Sequence, residues 1–104
     1  MKATIEKTLN IPVYEPHDTI SFPSATLDVF RVSADNFGDG SAVSEMENVQ
    51  VDLWFKDSVL VRSAAFELRD ALAAEFDITF PDINFTFDNT ARCYRANITF
   101  QKRR

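Results

Sequence analysis

Apolar and polar positions alternate along residues 47–57. Val49, Val51, Leu53 and Phe55 point one way, and Asn48, Gln50, Asp52 and Trp54 the other. A period of two is that of a strand with one apolar face. From Ser58 to Glu75 the period lengthens to that of a helix, with Val61, Ala64, Ala65, Leu68, Ala71 and Leu72 on one stripe. Asp57 or Ser58 is placed to cap this helix, because its side-chain oxygen can accept from the free amides of the first turn. The same reading extends along the rest of the chain. Thr4 to Leu9 allows a short helix with Ile5 and Leu9 on one side, which tertiary packing must hold. Asn10 to Tyr14 reads as extended, and Pro12, lacking a donor, belongs at an edge or strand start. Glu15 to Pro23 is a loop. Phe76 to Phe80 is a short extended piece stopped by Pro81. Ile83, Phe85 and Phe87 alternate with Asn84, Thr86 and Asp88, and Asp88-Asn89-Thr90 makes a turn. Arg92 to Gln101 alternates as a long final strand.

Ser24 to Ala34 is a different kind of strand. It is rich in β-branched and aromatic residues, yet Leu27 and Val29 share a face with Arg31, while Phe30 and Val32 share one with Asp28. A strand apolar on both sides lies mid-sheet or sets one apolar patch against another subunit. The connection that follows, Asp35 to Glu45, is long for a hairpin. It holds both glycines of the chain, Gly38 and Gly40. Long loops on a small domain often carry function.

Strands clustered around one long helix predict an α+β class. The expected architecture is a mostly antiparallel sheet of four to five strands, with the helix packed on one face and a short N-terminal helix possible. The expected core combines Val49, Val51, Leu53, Phe55, Val61, Ala65, Leu68, Leu72, Phe85, Phe87, Tyr94, Ile98 and Phe100. Residues 1–104 make a single domain. With 45 % hydrophobic residues and ten Phe, that core needs neither disulfide nor metal to form.

Charge and chemistry narrow the function mostly by exclusion. A formal net charge of −5 disfavours specific nucleic-acid binding, which needs several Lys or Arg to displace counterions. Lys102-Arg103-Arg104 reads as a solubilising tail. No apolar run is long enough to cross a membrane, and the charges in Met1–Lys7 leave no signal-peptide core. Cytoplasmic synthesis is expected. The single cysteine, Cys93, rules out an internal disulfide and a multi-thiolate metal site. The one histidine, His17, lies in a loop without a nucleophile at a recognisable spacing. Set against an EF-hand, Asp35, Asp39 and Gly40 take positions one, five and six, but Phe37 and Met46 stand where ligands are required. With so few glycines there is no phosphate loop. No cofactor or metal is expected, and the chain does not read as an enzyme. Interaction residues are another matter. Trp54 lies on the polar side of its strand. Either a second layer covers it, for which the N-terminal segment is one candidate, or it anchors an interface, since Trp and Phe dominate the buried centres of protein contacts. Phe37 at the loop tip, its neighbours Asp35, Asn36 and Asp39, and Phe30 and Arg31 on the two-faced strand are the other interface candidates.

The chain resembles the small tail-terminator, or tail-completion, proteins of long-tailed bacteriophages and prophages, which act at the head–tail junction. The resemblance rests on the extended Ile11-Pro12-Val13-Tyr14, the Asp35-Asn36-Phe37-Gly38-Asp39-Gly40 loop, the strand Val49-Gln50-Val51-Asp52-Leu53-Trp54-Phe55-Lys56-Asp57 entering its helix, and the closing Tyr94-Arg95-Ala96-Asn97-Ile98-Thr99-Phe100. It implies a structural protein that caps the tail tube as a hexameric ring and is monomeric in solution until it assembles. The implied partners are the tail tube protein and the head–tail connector protein, and the implied location is the bacterial cytoplasm and then the virion neck. A ring built head to tail uses two different patches on each subunit. The acidic balance suits a lumen through which DNA passes without sticking. The alternatives are another phage neck or head-completion protein, and a non-viral α+β binding domain that dimerises through the Ser24–Ala34 strand.

Overall fold

A computed structural model describes residues 1–15, 21–31 and 46–103. Seven elements follow in order: α1 (Lys2–Leu9), β1 (Val13–Tyr14), β2 (Ser24–Arg31), β3 (Met46–Phe55), α2 (Ser58–Glu75), β4 (Asp82–Asp88) and β5 (Cys93–Arg103). The central strand and helix form with nearly the bounds that the alternation predicts. Asp57 is the cap: its Oδ1 accepts from the amides of Val59 at 2.8 Å and Leu60 at 3.0 Å. That satisfies two of the first-turn donors that a helix cannot satisfy internally.

The sheet has five strands in the order β1-β2-β3-β5-β4. Every pairing is antiparallel except that of β1 with β2, so the chain is an α+β domain as expected. Pro12 stands just before the edge strand β1. Its carbonyl accepts from the Ala25 amide at 2.9 Å, while its missing donor costs nothing there. The extended piece before Pro81 runs beside the end of β5. The Thr79 amide donates to the Gln101 carbonyl at 2.9 Å, and the Arg103 amide to that of Asp77 at 3.0 Å. The turn into β5 is held by Asp88, whose Oδ1 accepts from the amides of Thr90 and Ala91. Arg92 takes φ 53°, so β5 starts at Cys93, one residue later than the alternation suggests.

Both helices lie on one face of the sheet. α2 covers β3 and β5, and Val61, Ala65, Leu68 and Leu72 meet Val49, Val51, Leu53, Ala96 and Ile98 in the core. The N-terminal helix forms too. It places the fully buried Ile5 in that core, and Thr4 Oγ1 donates to Glu75 Oε2 at 2.9 Å, tying α1 to the last turn of α2. Ile11, Val13 and Ala25 complete the core on that side. One expected core residue is not in it. Phe87 points to the helix side but stays 47 % exposed, because β4 is the far edge of the sheet and α2 does not reach over its end. Phe85 and Tyr94 are partly buried against the core.

Candidate assembly surfaces

The sheet face opposite the helices carries the first cluster. Register places Thr26 opposite Asp52 and Asp52 opposite Asn97, with Trp54 opposite Arg95 one step along. Asp52 is buried, its side chain 12 % exposed. Its Oδ1 accepts from Arg95 Nε at 2.9 Å and Asn97 Nδ2 at 2.8 Å, with Arg95 Nη2 in ion-pair contact at 2.9 Å, and its Oδ2 accepts from Gln50 Nε2 at 3.2 Å. A carboxylate withdrawn from water this far is tolerable only with its lone pairs engaged. Trp54 roofs the cluster. Its Nε1 donates to Thr26 Oγ1 at 3.2 Å, and the Arg95 guanidinium lies 5.4 Å from its ring centre. Among the described residues, α1 packs on the opposite face and does not cover Trp54. Among the described residues the half-buried indole is held by Thr26 and Arg95. Sequence reading singled out Trp54 but passed over Asp52, Arg95 and Asn97, which only cross-strand register brings together.

Among the described residues, two surfaces that carry exposed apolar side chains lie outside the core. The first is at the β4 edge. Helix positions Val59, Arg62 and Phe66 flank the side of α2 that faces β4, where Phe66 meets Phe85 edge-on at 6.1 Å and Arg62 lies 4.8 Å from the Phe85 ring centre. Phe87 packs edge-on against Tyr94 at 5.0 Å. A groove of about 250 Å³ runs between Ser58, Val61 and Arg62 on one side and Phe85, Phe87 and Tyr94 on the other. The second surface is a hollow of about 380 Å³ on the open sheet face, at the opposite end of the strands. Its floor is polar, made by Asn48, Gln50, Thr99 and Gln101, and Phe30 and Phe80 stand on either side of it. Phe30 is 48 % exposed and Phe80 82 %.

The two-faced strand is now accounted for. β1 pairs only with Ala25 and Thr26, so the later part of β2 has no ladder partner on that edge among the described residues. Val29 and Phe30 then project on opposite faces, both partly exposed. Of the other interface candidates, Asp35, Asn36, Phe37 and Asp39 lie outside the described residues, as do His17 and the side chain of Arg31. Cys93, at the start of β5, is fully buried. Burial, and then the nearby Asp88 carboxylate, raise its thiol pKa against the opposing pull of Lys56. The thiol therefore stays protonated near neutral pH and is shielded from reagents. Among the described residues no group of His, Cys, Asp and Glu is arranged to hold a metal ion, and no helix is long and apolar enough to cross a membrane.

These features define a class: a small α+β domain with helices on one sheet face, a polar open face, and separate apolar surfaces at its two ends. One chain in the virion of a native gene transfer agent particle has a similar fold, with a TM-score of 0.60 over 97 % of this chain and 81 % of that one. The sequences are 15 % identical, so the likeness is one of fold. No protein-family model matches the chain, and no curated protein matches it in sequence.

Proposed function

We propose that this chain is a structural protein of a phage-like virion, one that caps the tail tube as a hexameric ring and joins it to the head connector. The observation that carries the reading is the likeness of fold, over nearly the whole chain, to a component of a gene transfer agent virion. The resemblance of the sequence to tail terminators supplies the finer role. In this reading the protein is not an enzyme and takes no cofactor. It is made in the bacterial cytoplasm and ends in the particle, where its partners are further copies of itself, the tail tube protein and the connector. The Asp35–Glu45 loop and Trp54 are the contacts assigned to tube or neighbouring subunit. Two separated apolar surfaces support assembly into a ring over a simple dimer, because a head-to-tail contact needs two different patches per copy.

Deleting the gene from a particle-producing strain tests the role. Heads and tails are both expected to form and to remain unjoined, and supplying the intact gene should restore joined particles. Joined, infectious or gene-transferring particles from the deletion strain would overturn the reading.

A further inference from the structure

We propose that the β4-edge surface of one copy docks into the open-face hollow of the next, so that Arg62 faces the acidic row that ends in Asp28 and Asp82. This deepens the ring reading above and rests on it.

Among the described residues, five of the seven exposed large apolar side chains fall into two groups, and Val29 and Leu60 lie outside both. Val59 (73 % exposed), Phe66 (39 %) and Phe87 (47 %) surround Arg62 at the β4 edge on the helix side. Phe30 and Phe80 flank the hollow on the other face and at the other end. The charges differ as well. Arg62 has no carboxylate partner among the described residues and rests only on the Phe85 ring. The Asp57 and Asp88 carboxylates, in the turns that flank α2 and β4, accept from backbone amides. Across the hollow, Asp28 and Asp82 occupy the two ends of one register row, Asp28–Gln50–Thr99–Asp82. Three strand spacings put them about 14 Å apart. Both are exposed, and neither has a cation partner among the described residues. Among the described side chains at that end, Lys102 pairs with Glu47 at 3.9 Å and Arg103 with Asp77 at 3.5 Å.

The signs decide the symmetry. A two-fold contact through the β4-edge surface would bring Arg62 near its own copy, and one through the hollow would bring four carboxylates together. Like charges at a desolvated contact are costly. Edge surface into hollow pairs opposite charges and apolar rims, and because the two patches are different, the contact repeats from copy to copy.

Cross-linking tests this on the purified protein without any tail, at concentrations high enough for mass action to populate a contact too weak to hold dilute monomers together. Val59→Cys and Phe80→Cys each place one accessible thiol on one patch, and the buried Cys93 does not compete. A short bismaleimide is expected to link Val59→Cys chains to Phe80→Cys chains, and neither kind to itself. Adding Arg62→Glu to the first chain should cut the yield at least tenfold. Adding Asp28→Arg with Asp82→Arg to the second should then restore it. Circular dichroism of each variant keeps a folding failure from being read as lost docking. Self-linking of either single variant, no linking at high concentration, or no rescue by the charge swap would overturn the proposal. Linking as expected by a protein that leaves heads and tails joined in its absence would keep the docking and remove the terminator role.

Discussion

Leu68→Asp is expected to abolish folding: no cooperative thermal transition and loss of the helical circular dichroism signal. Leu68 is fully buried at the centre of α2, against β3 and β5. Truncating such a leucine alone costs about 2–5 kcal/mol. The aspartate adds a carboxylate with no partner in an apolar core, at several kcal/mol more. A domain of this size has about 5–15 kcal/mol of stability in total, so the combined cost reaches or exceeds it. Ser63→Asp, on the exposed side of the same helix, should melt close to the wild type. A Leu68→Asp protein with an unchanged melting curve would contradict the placement of α2.

Asp52→Ala is expected to give the next largest loss, about 2 kcal/mol, because hydrogen bonds to a charged group are worth about 1.5–3 kcal/mol and the donors are left unpaired. The figure stays at the lower end because the Arg95 side chain is 33 % exposed and water can replace part of what it loses. For a domain this small that is a fall in Tm of roughly 8–16 °C. Arg95→Ala made together with Asp52→Ala should cost less than the sum of the two single changes, since they share one interaction. A loss under about 0.5 kcal/mol for Asp52→Ala would show that the open-face cluster behaves as ordinary surface.

The contrast between these two residues shows what local pattern can reveal. Leu68 is legible because a helical stripe and an aspartate cap are written within a few neighbouring positions. The β3–α2 unit and the short α1 follow from the same local rules. Asp52 is not legible, because its partners Arg95 and Asn97 are 43 and 45 positions away in sequence and meet it only through the β3–β5 register. Phe87 fails for a related reason. Alternation correctly points it to the helix side, but whether a helix lies above it depends on strand order, which placed β4 at the edge. Phe30 was found as an excess of apolar surface on a strand, yet its companion Phe80 was not. Only the folded sheet sets the two on either side of one hollow.

In its proposed role the chain assembles on a tail tube. The most direct measurement is negative-stain or cryo-electron microscopy of the purified protein mixed with purified tail tubes from the same particle. A ring of density closing one end of each tube, absent from tubes alone, is expected. Tubes whose ends stay bare at saturating protein would contradict it.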